Sequence, residues 1–163
     1  MLDELSQVLW SAQGITTPTG KRTAPSAGAL YPLELHLLAT HVKELPAGLY
    51  DYEPLEHALL RRGLEDCRSE LAAAAHQQEC VRTAAAVLVI AAVFERTTGK
   101  YGERGVRYAH MEAGHVAQNV YLQAGALDLG TVLVGAFDDR EVKRVLQLRQ
   151  EEEPLGLMPL GRL

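Results

Sequence analysis

The order of the elements predicts an α+β fold, a mixed sheet flanked by helices with one long helix through the domain. Three observations carry this. Strand-like and helix-like segments are interleaved, an early pair of short strands reads as a hairpin, and a last strand stands at the very end of the chain. Simple double winding would give neither the hairpin nor the closing strand. With 163 residues, 47% of them hydrophobic, the chain suits a single domain over residues 1–163 with a sizeable core.

Residues 3–14 (DELSQVLWSAQG) place Leu5, Val8, Leu9 and Ala12 at helical spacing, between a capping Asp3 and a terminating Gly14. The following polar loop, ITTPTGKRTAPSAGALYP, is rich in Thr, Pro and Gly. Residues 33–41, 49–52 and 57–62 read as strands, the last two joined as a hairpin at Glu53-Pro54. Residues 64–80 are helical by composition. The unbroken apolar run AAAVLVIAAVF at 84–94 reads as a buried central strand. Residues 104–127 form the long helix, and residues 131–137 another buried strand. Asp138 caps a helix over 139–146, and PLGLMPL at 154–160 makes the last strand.

A net charge of −5 and a pI near 5.7 give no general attraction to nucleic acid or anionic membranes. No window has the unbroken apolar length of a membrane span, and the N-terminus carries acids where a signal peptide needs bases, so a cytoplasmic protein is expected. Cys67 and Cys80 lack C-x-x-C spacing and read as reduced thiols.

The stretch YAHMEAGHVAQN, residues 108–119, has the ingredients of a zinc helix but not its spacing. His110 and His115 are i and i+5, about 140° apart around a helix, so they do not share one metal; no metal is expected. TGKRT at 19–23 misses the spacing and hydroxyl residue of a phosphate loop. Gly99, Gly102 and Gly105 do not form the dinucleotide fingerprint.

Three clusters remain. RTAPSAGALYP joins a base, a hydroxyl and small residues before a strand, where backbone amides meet a flat or anionic ligand or merely turn the chain. TTGKYGERGVRY sets Lys100 and Tyr101, both competent proton-transfer groups, on a Gly-flanked loop at a strand end; an exposed loop with solvated charges is the plainer reading. LVGAFDD ends a strand in Gly135-Ala136, whose amides face a cofactor or simply turn the chain. Ala109, Ala113, Ala117 and Ala124, with Gly114 and Gly125 nearby, let the long helix pack closely on the core or on a partner.

Together the segments LWSAQGIT, RTAPSAGALYPLELHL, LPAGLYDYEPLEHAL, FERTTGKYGERGVRYAHMEAGHVAQN, LDLGTVLVGAFDDREVKRVL and PLGR resemble the FMN-dependent nitroreductase superfamily. They look most like its SagB-type branch, related to dehydrogenases that oxidise azolines to azoles in peptide natural products. The resemblance implies a nitroreductase-like, mainly antiparallel sheet and a homodimer with FMN at the subunit interface. It implies that Ser26 and Gly28 lie along the flavin, with Arg22 a phosphate or ribityl contact. Val134, Gly135 and Ala136 would offer backbone contacts on the N5 side, and Arg162 would meet the phosphate. Lys100 or Tyr101 would remove a substrate proton while hydride moves to flavin N5. The family's N-terminal Arg-Ser-Arg segment precedes the helix at which this sequence starts, so Arg22 and Arg162 would bear more of the phosphate. Ala29 and Tyr31 stand where many nitroreductases carry Asn and Gln, in keeping with the SagB-type branch. The implied activity is an FMN-dependent oxidoreduction of a peptide azoline, or of a nitro or quinone-type substrate. The alternative is a flavin-binding or complex-assembly module without catalysis.

Overall fold

The computed structural model describes residues 2–63 and 66–162. Helix α1 (Leu2–Gln13) leads through a loop and a 3-10 turn (Ala27–Ala29) into β1 (Leu33–Ala39), followed by the hairpin β2 (Gly48–Glu53) and β3 (Ala58–Gly63). Helices α2 (Arg68–Ala74) and α3 (Glu79–Thr83) precede β4 (Ala86–Ala92). Then come α4 (Glu95–Tyr101), α5 (Arg104–Ala126), β5 (Leu129–Thr131), α6 (Asp139–Val145) and β6 (Glu153–Arg162). The six strands form one sheet in the order β3-β2-β1-β4-β6-β5, every neighbouring pair antiparallel.

Both faces of this sheet are covered, which explains the unbroken apolar run of β4. Ala86, Leu88, Ile90 and Ala92 face a core built with α1 and α5, while Val87, Val89 and Ala91 face a second core under α2, α3 and α6. Alternation along a strand sends successive side chains to opposite faces, so a strand buried on both sides needs apolar residues throughout. Among the described residues, no helix is long and apolar enough to cross a membrane.

Three expectations are corrected. The single helix over 64–80 is two helices, broken where His76 and Gln77 take φ of 54° and 62°; Leu64 and Glu65 lie outside the described residues. No Gly or Pro marks the break. A straight helix of that span would run about 25 Å, whereas the bend lets both Leu71 and Val81 enter the second core. The segment 131–137 is not a buried strand. Val132 and Leu133 are exposed, and only Val134 turns in, bridging Leu157. Finally, Lys100 and Tyr101 stand on a helix, α4, rather than on a loop.

Candidate functional site

The glycines of GKYGERG shape the corner that presents Lys100 and Tyr101. Gly102 ends α4 at φ 57°, ψ −149°, a conformation essentially reserved for glycine. A Cβ at Gly105 would lie 2.6 Å from the Thr97 carbonyl carbon and from the Thr98 nitrogen, so α5 approaches the backbone of α4 as only glycine allows. The last turn of α4 is thereby directed at the loop before β1. There Gly28 has φ 63°, and a Cβ added to it would meet Tyr101 Oη at 2.6 Å and Lys100 Nζ at 3.1 Å. Tyr101 stacks edge-on against Tyr108 at 5.1 Å, and Lys100 Nζ lies 5.3 Å from the Tyr101 ring centroid.

The 26–31 turn is strained and clamped. Ala29 and Tyr31 also adopt positive φ, 54° and 46°, which costs a non-glycine residue about 1 kcal/mol each. Three contacts hold it. The Tyr31 N–H donates to Ser26 Oγ at 2.9 Å, Arg96 Nη1 donates to the Tyr31 carbonyl at 3.1 Å, and the Arg22 N–H donates to the Tyr31 hydroxyl at 3.1 Å. The Arg22 guanidinium lies over the Tyr31 ring at 4.6 Å and donates to Gln13 Oε1 at 3.0 Å. Burial lowers the pKa of Arg22 from its usual value, Glu34 and Glu112 opposing the shift; so basic a group keeps its charge regardless.

Beneath this turn lies a buried acid, Glu112 on α5, only 1% exposed. Neither of its carboxyl oxygens meets a donor in full hydrogen-bond geometry, and the neighbouring Gln13 Nε2 meets no acceptor in one. Burial raises the Glu112 pKa above the carboxylate range, against the smaller opposing influences of Ser26, Gln13, Arg22 and His115. The helical pattern could have found both residues. Glu112 falls on the buried stripe between Ala109 and Val116, and Gln13 one turn after Leu9.

Arg96, on α4, pairs with Glu34 of β1 and so anchors the helix of Lys100 and Tyr101 to the sheet. Glu34 in turn meets Arg149 at 3.5 Å, and Arg149 clamps Glu152 at 2.6 Å. The other side of Glu152 faces His36 Nε2 at 3.4 Å, while His36 Nδ1–H donates to Asp51 at 2.6 Å. Burial alone would lower the His36 pKa, but Asp51 and Glu152 outweigh it and raise it. Burial alone would raise Glu152, yet His36 and Arg149 hold it down at about 2.

The structure therefore gathers Arg22, Ser26, Gly28, Lys100 and Tyr101 at one end of the sheet, near Leu33 and Ala92. Val134, Gly135 and Ala136 are elsewhere, next to the second core. Val134 uses its own N–H and carbonyl on Leu157, at 2.8 and 2.9 Å, while Gly135 and Ala136 are exposed. Arg162 stands beyond the other end of β4, whose six steps from Ala86 to Ala92 span about 20 Å. Its guanidinium donates to the Leu127 carbonyl at 3.1 Å and pairs with Glu4. His110 Nδ1–H donates to the Val106 carbonyl at 2.8 Å, and His115 Nδ1–H to that of Pro25 at 3.2 Å.

The small residues of α5 divide by face. Ala109, Ala117 and Ala124 are buried in the first core. Met111, Gly114, His115, Gln118, Leu122 and Gly125 are exposed and, at about 100° per residue, fall on one stripe opposite it. Nothing lies within 4 Å of a Cβ added at Gly114 or Gly125.

Residues 2–162 match the Nitroreductase family. The chain is 51% identical over 161 residues to a candidate nitroreductase of Methanocaldococcus jannaschii, a match covering 99% of this chain and 80% of that protein. It is 33% identical over 144 residues to the microcin B17-processing protein McbC of Escherichia coli, covering 80% of this chain and 50% of McbC. Among solved structures, a candidate nitroreductase of Anabaena variabilis superposes with a TM-score of 0.91 at 29% identity; the match covers 99% of this chain and 35% of that one. The E. coli microcin synthetase McbBCD complex with truncated pro-MccB17 bound gives 0.86 at 29% identity, covering 99% of this chain and 64% of the matched chain. The chain thus spans about a third of the Anabaena protein and half of McbC.

Proposed function

Since the chain belongs to the nitroreductase family, we propose that it is an FMN-dependent oxidoreductase of the SagB type, one domain that works as a homodimer. The observation that carries this reading is the strained Gly28 turn with Lys100 and Tyr101 pressed against it. A glycine at positive φ leaves its backbone uncovered by a side chain of its own, and here an amine and a phenol competent in proton transfer stand against it. The open space around Gly135 suits a planar cofactor, while the space beside Gly28 is taken by Tyr101 Oη and Lys100 Nζ.

When bound, FMN supplies hydride chemistry at its N5. The chain's own residues do the rest. Ser26 and Gly28 would hold the ring, Arg22 would hold the ribityl or phosphate, and Lys100 or Tyr101 would take the substrate proton. Val134, Gly135 and Ala136 stand by the second core and Arg162 beyond the other end of β4, apart from this turn. A second copy packed on the exposed α5 stripe would be the means of bringing them to the same ligand. The kinship with McbC favours a peptide azoline as substrate over a nitro or quinone-type acceptor. Its solved relative sits in a synthetase complex, which also favours a second reading: a flavin-binding assembly module without turnover.

One experiment tests both. The purified protein, given FMN, is expected to show a bound-flavin spectrum, and a Lys100→Ala, Tyr101→Phe double variant to keep that spectrum while losing turnover at least 100-fold. Absence of FMN binding overturns the proposal. Bound FMN with turnover untouched by the double variant assigns the chemistry elsewhere.

A further inference from the structure

We propose that Glu112 is a positioning residue for the 22–31 loop, taking up a proton from solvent when FMN binds and thereby leaving the Arg22 charge to the ligand. The proposal rests on the reading of this loop as the flavin site. Its geometry is that of a buried acid with weakly placed donors. Glu112 is 1% exposed, neither oxygen meets a donor in full hydrogen-bond geometry, nor does Gln13 Nε2 meet an acceptor, although Ser26 and Gln13 lie close enough to favour the anion. Buried polar groups in such a state are rare and costly as anions.

The groups facing Glu112 come from three elements. Arg22 and Ser26 lie on the loop, Gln13 lies on α1, and His115 stands one turn further along α5. Ser26 and Gln13 favour the ionised acid first, and Arg22, the one permanent positive charge among these groups, adds to them. It also carries the loop, through Gln13 Oε1 and the Tyr31 ring. An anionic ligand that engages Arg22 withdraws that support and adds negative charge and further burial, all of which push Glu112 toward its neutral form. Ser26 Oγ accepts from the Tyr31 N–H, so its own proton remains to be donated toward the acid or toward the site.

By linkage, FMN affinity falls as pH rises above the Glu112 pKa of the free protein, by up to tenfold per pH unit until the pKa of the complex is passed. The test is FMN affinity by flavin fluorescence from pH 5 to 9 in wild type, Glu112→Gln and His115→Gln. Calorimetry in two buffers of unlike ionisation enthalpy counts the protons taken up. The phosphate's own titration near pH 6 is common to all three proteins, and the His115 variant removes the imidazole beside Glu112. Glu112→Gln, isosteric with the neutral acid, is expected to bind at the wild-type low-pH affinity without the alkaline loss and without proton uptake. His115→Gln is expected to keep both. Equal pH slopes in wild type and Glu112→Gln, or loss of the slope in His115→Gln, overturn the role of Glu112 while leaving the flavin reading intact. No FMN binding by wild type at any pH overturns both.

Discussion

Gly28 is the residue on which the site turns. Its φ of 63° and the 2.6 Å approach of the Tyr101 hydroxyl to where a Cβ would sit leave no room for alanine. Gly28→Ala is expected to cost about 1–2 kcal/mol in chemical denaturation and to push Tyr101 and Lys100 away from the loop. Turnover should fall far more than stability does, and an unchanged kcat would show that the close approach is incidental. In the sequence, PSAGALYP reads as a place where backbone meets a ligand or merely turns, and KYGERG as a proton-transfer pair or an exposed loop. That the two touch was not legible, since 72 residues separate Gly28 from Lys100 and only the packing of α4 on the sheet closes the gap. Glu112 was legible in principle from its place on the buried stripe.

At the level of elements, the α4–α5 corner depends on two glycines with different duties. Gly102 supplies a backbone conformation, and Gly105 supplies proximity, with Thr97 and Thr98 backbone atoms within 2.8 Å of where a Cβ would sit. Gly105→Ala is expected to separate the helices and cost about 3 kcal/mol by urea titration, whereas Gly99→Ala, exposed and with open space around it, should be neutral or slightly stabilising. A neutral Gly105→Ala would show that the corner yields easily. The long helix, the hairpin, the central strand and the Asp138 cap were readable because each rests on local periodicity or turn chemistry; Asp138 indeed accepts from the Glu141 N–H at 3.0 Å. The break between α2 and α3 and the short edge strand β5 were not. Their positions answer to the curvature and edges of a sheet built from distant segments.

Over the whole molecule, an ion chain runs from Asp51 and His36 through Glu152, Arg149 and Glu34 to Arg96, joining the hairpin, the strand before it, the approach to β6 and the helix of the candidate catalytic pair. Glu152 titrates at about 2 in the fold against an ordinary 4.5, so its contribution is whole above the ordinary value and drains away as pH falls toward 2. His36 has the opposite sense: its raised pKa stabilises at low pH, and that contribution is lost as pH climbs past 6.5 and through the folded value. Glu152→Gln is expected to cost on the order of 3 kcal/mol at neutral pH and to flatten the acid limb of the stability profile between 4.5 and 2, measured by urea midpoints across pH. An acid limb as steep as the wild type's would place the acid sensitivity in other carboxylates.

What the sequence determined by itself was the α+β class, most of the element order and the local chemistry of the Gly28 turn and the Lys100-Tyr101 pair. These follow from hydrophobic period, glycine conformation and side-chain type, all of which act over a few residues. Only the tertiary structure decided that these two segments meet above a buried acid, and that Val134, Gly135, Ala136 and Arg162 lie apart from them. Distances of that kind are set by how two helices and a hairpin settle on the faces of one sheet. Burial, which gives Glu112 its unusual state, exists only once that packing has shut out water.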